Sequence, residues 1–85
     1  MGMIDKHATH NLIILNDDVH TYQHFANAIK TVFPSLTDKA IRCMCLLANK
    51  AGSAPCAHGC IERLEMARLA LEKFGIDCVI ERRTT

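Results

Sequence analysis

Eighty-five residues make a single domain, because a chain this short cannot divide into two self-sufficient cores. Ten Lys+Arg against nine Asp+Glu leave a net charge of +1, which gives no field to steer the chain to nucleic acid or an anionic membrane. No apolar run approaches the roughly 18 residues of a membrane span, and five cysteines, an odd number, argue for reduced thiols or a metal site in a cytoplasmic protein rather than a full disulfide framework.

In chain order, residues 1–10 open Met1-Gly2-Met3-Ile4-Asp5-Lys6-His7, without the apolar core of a signal peptide, and read as a short flexible arm before a domain at 11–83. Leu12-Ile13-Ile14-Leu15 is apolar and β-branched, and the polar Asn16-Asp17-Asp18 closes it: a buried strand ending in a turn. From Thr21 the period changes. Tyr22, Phe25, Ala26, Ile29, Val32 and Phe33 recur at three and four, an amphipathic helix that Pro34 stops. Ser35 and Thr37 are N-cap candidates for a second helix with Ala40, Met44 and Leu47 on its apolar stripe, and Gly52 is its exit. Ser53 to Gly59, with small residues and Pro55, supports at most a short edge strand. A third helix carries the stripe Ile61, Leu64, Ala67, Leu71 and Phe74 and stops at Gly75. Cys78-Val79-Ile80 forms a last strand. The order is β-α-α-β-α-β, an α+β fold in which a small sheet buries the helix stripes against one face.

Three groups of residues carry chemistry. Asn16-Asp17-Asp18 suits a turn, where Asn and Asp bond their own backbone. Turn chemistry is the commoner use of such a cluster, and the same residues can also hold an ammonium group, which offers three donors and no acceptor to a carboxylate and an amide oxygen. Cys56, His58 and Cys60 fall on one side of an extended segment, as three of four tetrahedral metal ligands require, although not at the usual C-x2-C spacing. Cys43 and Cys45, two apart on a helix, point away from each other and read as small core residues. His20 and His24 have the i, i+4 spacing of a two-His metal face but lack the accompanying Glu, so they read as a solvated or partly buried helix start. No nucleophile elbow, phosphate loop or Ser-His-Asp order is present; the residues point to a binding protein, not an enzyme.

The stretch from Ile13 to Phe25, with Asn16-Asp17-Asp18 and His20-Thr21-Tyr22, resembles the opening strand and turn of the ClpS family, adaptors of the ATP-dependent Clp protease. Gly52-Ser53-Ala54-Pro55-Cys56, Glu62-Arg63-Leu64-Glu65 with Ala67-Arg68, and Ile76-Asp77-Cys78-Val79-Ile80-Glu81 are similar to three later stations of the same family in the same order. The resemblance implies a three-stranded antiparallel sheet with three helices. It implies a monomeric adaptor without cofactor that binds a destabilising N-terminal residue, usually Leu, Phe, Tyr or Trp. The adaptor then hands the substrate to the amino-terminal domain of a Clp-type Hsp100 unfoldase. By the same resemblance Asn16, Asp17 and Asn49 grip the α-amino group, Asn49 standing where the family has a His. Ile14, Tyr22, Ala26, Cys45, Ala48 and Ile76 form the apolar pocket, with Tyr22 as a gate. Glu62, Glu65 and Arg68 dock the unfoldase, and Ala67 takes the place of the family's Lys. Two alternatives stand beside this reading. One is a metal-binding or redox-sensing protein using Cys56, His58 and Cys60, and the other is a diverged ClpS-like domain that docks a partner without recognising a degron.

Overall fold

Leu12 and Ile14 are two apart in the first apolar run, so an extended backbone turns both to one side. In the computed structural model, which describes residues 9–16 and 20–83, both are fully buried in strand β1 (His10–Leu15). The strand starts at His10, ahead of the apolar run, because its ladder partners extend that far. Most of the arm expected at 1–10, and Asp17 in the expected amine site, lie outside the described residues.

β1 is the central strand. It pairs antiparallel with β2 (Ser53–Gly59) on one side and β3 (Cys78–Arg82) on the other, in the order β2-β1-β3. The seven residues of β2 exceed the short strand that its Pro and small residues suggest. Its edge position explains the tolerance, since a missing proline N–H there need not interrupt a second ladder. The register also slips: Leu12 faces Ala57 and Ile13 faces Pro55, leaving Cys56 as the extra residue of a β-bulge.

The helices follow their local signals closely. Helix α1 (Tyr22–Val32) starts at Thr21, whose side chain accepts the His24 backbone N–H at 3.2 Å, and stops before Pro34. Phe25, Ala28 and Ile29 are its buried residues. Helix α2 (Asp38–Ala51) starts at Thr37, capped in the same way by the Ala40 N–H at 3.1 Å, and Asp38 suits the positive end of its dipole. It ends at Gly52, whose φ of 90° is left-handed and whose N–H donates to the Ala48 carbonyl at 2.8 Å. Ile41, Met44 and Ala48 face the core from this helix; Leu47, expected on the stripe, is exposed instead. Cys43 is exposed and Cys45 half-buried, so the pair is not the core pair expected. The core wraps the stripe through Met44 and Ala48, and Cys43 lies off it.

Helix α3 (Ile61–Glu72) buries Leu64 and Leu71, with Ala67 and Phe74 partly covered. Ile61, Met66 and Leu69 are exposed, so this helix is apolar on more than one side. α2 packs on β2, α3 on β3 and β1, and α1 between the two other helices. One cluster built on Leu12, Ile14, Ile29, Ile41, Leu71 and Ile76 forms the core. Val79 and Pro55, on strand positions turned the other way, are exposed, so the helices cover one face of the sheet. Among the described residues no helix is long and apolar enough to cross a membrane.

Candidate functional site

Where β1 runs out of partners, two backbone bonds take over. Leu15 N–H donates to the Asp77 carbonyl at 3.0 Å, and Asn16 N–H donates to the Gly52 carbonyl at 2.9 Å. The strand end is thereby pinned between the loop entering β3 and the turn leaving α2. This places Leu15 and Asn16 beside the last turns of α2 and the first turn of α1. The carboxamide Oδ1 of Asn16 is buried there.

A cavity of about 100 Å³ opens at this junction. Leu15 from β1, His20, Thr21, Tyr22 and Phe25 from the start of α1, and Cys45, Ala48 and Asn49 from α2 line it. Cys45, Ala48 and Asn49 share a face because residues three and four apart on a helix are neighbours. Asn49 Nδ2 points at Cys45 Sγ, 3.9 Å away, which keeps its amide on the cavity side. The lining is mixed, with Leu15, Phe25, Cys45 and Ala48 apolar and an amide, an imidazole and two hydroxyl-bearing residues beside them. Such a mixture holds an apolar group that ends in a polar one.

Of the residues expected in the pocket, the structure brings Tyr22, Cys45 and Ala48 together, with Asn49 of the expected amine grip beside them. Ile14 and Ile76 are almost fully buried in the core, and Ala26 packs against that core; none of the three lines the cavity. Leu15 and Phe25 occupy those walls instead. Strand alternation explains part of this. Ile14 and Leu15 point to opposite sides, and only tertiary contacts decide which side meets the cavity.

His20 is a lining residue that sequence periodicity does not reveal. Its ring stacks on His24 with centroids 4.4 Å apart and planes 17° from parallel. His24 Nε2–H donates to the Phe74 carbonyl, tying α1 to the end of α3, and its ring meets Phe74 edge-on at 6.2 Å. On the far side Gly75, with φ of 80°, leaves room: a Cβ there would stand 2.8 Å from His20 Cε1. The i, i+4 spacing read as a solvated or partly buried helix start; the structure stacks the two rings there. Tyr22 carries a second contact, with the Arg42 guanidinium 5.8 Å from its ring centroid.

The Cys56-His58-Cys60 constellation does not assemble. Among the described residues no three His, Cys, Asp or Glu side chains are grouped to hold a metal ion. The bulge at Cys56 breaks the alternation that the spacing argument needs, and Cys56 and Ala57 both pack toward the core while His58 is exposed. All five cysteines are free thiols. Burial, with the neighbouring Cys78 adding to it, pushes the Cys56 thiol up to about 12. Burial likewise raises Cys78, with Arg68 opposing. A thiol so far above neutrality is a weak nucleophile and a poor redox sensor.

Glu62, Glu65 and Arg68 form one stripe of α3, three residues apart. Arg68 Nη2 sits 2.9 Å from Glu65 Oε1 and its Nε–H donates to the same oxygen, which holds the guanidinium pKa above its ordinary value. A different stripe of α3, through Arg63, Met66, Ala67 and Ala70, borders a second, wider concavity of about 810 Å³. The ends of α1 and β2, at Val32, Phe33, Ala57 and His58, complete it.

Residues 5–78 match the family model described as ATP-dependent Clp protease adaptor protein ClpS. Among solved structures the chain is similar to Agrobacterium tumefaciens ClpS2 bound to L-phenylalaninamide, with a TM-score of 0.83 and 18% identity over 92% of this chain and 100% of that one. No curated protein sequence matches the chain.

Proposed function

The chain belongs to the ClpS family of Clp protease adaptors, and from that premise we propose that it binds the N-terminal residue of substrate proteins and delivers them to the amino-terminal domain of a Clp-type Hsp100 unfoldase. The observation that carries this reading is the cavity at the end of β1. It sets apolar Leu15, Phe25, Cys45 and Ala48 beside polar Asn49, and opens next to Asn16, which Asp17 follows in sequence. A substrate side chain fills the cavity, and the free α-amino group meets Asn16, Asp17 and Asn49. Filling an apolar pocket with a large side chain is worth about 1.5–3 kcal/mol, and the charged amine adds the discrimination between a chain terminus and an internal residue. Phenylalaninamide, the ligand of the solved relative, has these two parts, a free α-amine and an apolar side chain.

On α3, Glu62 with the Glu65–Arg68 pair presents the charged face that meets the unfoldase.

Titration with peptides beginning Leu, Phe, Tyr and Trp, each beside its N-acetylated control, tests the reading. Acetylation removes both the charge and the donors and leaves the polar groups at the site without a cation, so it is expected to abolish binding. Equal affinity for free and acetylated termini overturns the amine grip. An adaptor that binds the unfoldase domain but no peptide is the docking-only alternative. Glu62→Lys combined with Glu65→Lys separates the two functions by weakening unfoldase binding alone.

A further inference from the structure

Arg42 lies one turn ahead of Cys45 on α2, and Arg42, Cys45 and Asn49 follow one another at three and four along a single helix face. Cys45 and Asn49 line the cavity; Arg42 does not. Its guanidinium instead stands over the Tyr22 ring, 5.8 Å from the centroid, within the range of a cation–π contact. Among the described residues it has no ion pair, so that ring is its one partnered group. Tyr22 is the first residue of α1, where helices fray, and is 40% exposed. A ring so placed has freedom to swing away from the cavity unless something outside holds it.

We propose that Arg42 is a positioning residue of the pocket: its guanidinium holds the Tyr22 ring from outside so that the ring closes the wall against the substrate's first side chain. The inference rests on the pocket being the N-terminal-residue site proposed above and adds a residue to it. A cation–π contact at an exposed site corresponds to a two- to fivefold change in an equilibrium constant. The ring must be held before the side chain arrives, because an immobilised wall lowers the ordering cost of binding. Arg suits the task better than Lys, since its planar, weakly hydrated group stacks on a ring face.

The chain contains one Tyr and no Trp, so its intrinsic emission comes from Tyr22 alone. Acrylamide quenching of that emission in the free protein therefore reads the state of the ring directly. Arg42→Met, which keeps an apolar stem and removes the charge, is expected to raise the quenching constant, with Arg42→Lys between it and wild type. Arg42 is exposed, so neither variant disturbs the core. Calorimetric titration with a Leu-initiated peptide is expected to show affinity two- to fivefold lower for Arg42→Met, partly restored in Arg42→Lys. In a Tyr22→Ala background the same Arg42→Met change is expected to have no effect. Unchanged quenching, or an equal loss of affinity with and without Tyr22, overturns the positioning role. Failure of wild type to bind any free-amine peptide sinks the pocket reading instead, and the quenching series still decides whether Arg42 holds the ring.

Discussion

Helix α1 borders two concavities, and its two ends keep very different company. At its start, Tyr22 and Phe25 meet Leu15, Cys45, Ala48 and Asn49 around a cavity of about 100 Å³. At its end, Val32 and Phe33 meet Ala57, Met66 and Ala67 along a groove of about 810 Å³. The larger hollow is made of an exposed methionine, alanines and a half-buried helix face, with Arg63 and His58 at its margin. The smaller one joins the end of a central strand, a helix start and a helix exit, where backbone ends and polar side chains converge on an apolar wall. A few convergent polar groups fix a ligand's orientation and give specificity. The small pocket is therefore the site proposed for the N-terminal residue, and the groove follows from α3 being apolar on more than one side.

Substitutions can break that contrast. Asp17→Ala carries the largest expected effect, about 2–5 kcal/mol of binding to a Leu-initiated peptide, because the amine loses its charged partner. Calorimetric titration measures it, and a loss below about 0.5 kcal/mol removes Asp17 from the grip.

Next comes Gly75→Ala, expected to cost about 1–3 kcal/mol of stability. Its φ of 80° is left-handed and the new Cβ would meet the His20 ring at 2.8 Å. Gly52→Ala is the matched control, since it shares the left-handed backbone but has open space around the Cβ. Urea melts are expected to show both variants destabilised, with Gly75→Ala the worse. Peptide titration is expected to show only Gly75→Ala impaired at the pocket, through displacement of His20.

A third outcome concerns pH. Cys56 rises from an ordinary 9.0 to about 12 in the fold. Below about 9 the thiol is protonated in both folded and unfolded chains, and its contribution is fully present. Between about 9 and 12 the unfolded chain alone loses the proton, so stability falls as pH rises. Melting temperatures from pH 8 to 11 read this, and Cys56→Ala is expected to flatten the slope. The smallest effect sharpens the contrast from the other side: Met66→Ser, in the groove and 75% exposed, is expected to leave peptide affinity within about twofold.

Much of the fold is legible locally. Thr37, Gly52, Pro34 and the spacing of Phe25 and Ile29 mark helix ends and faces because capping, left-handed backbone and a 3.6-residue period act within a few residues. Asn16 at a strand end and Tyr22 at a helix start are legible in the same way, and the ClpS resemblance supplies the joint role proposed for them. Non-local decisions are not. The bulge that turns Cys56 inward and dissolves the Cys56-His58-Cys60 group depends on the register against Leu12 and Ile13. Ile14, Ala26 and Ile76 are as apolar as any pocket wall, and only packing sends them to the core while Leu15 and Phe25 take the wall.

Sequence by itself determined the element order and the ends of the first two helices, since these rest on backbone preferences and short-range periodicity. Tertiary structure alone decided which side chains meet across elements. Gly75 against the His20 ring, Arg42 over Tyr22, and Leu15 beside Phe25 and Ala48 at the pinned end of β1 bring together residues that neither periodicity nor turn chemistry connects. The physical reason is that a pocket is bounded by contacts between segments, and those contacts are set by how three helix stripes share one sheet face.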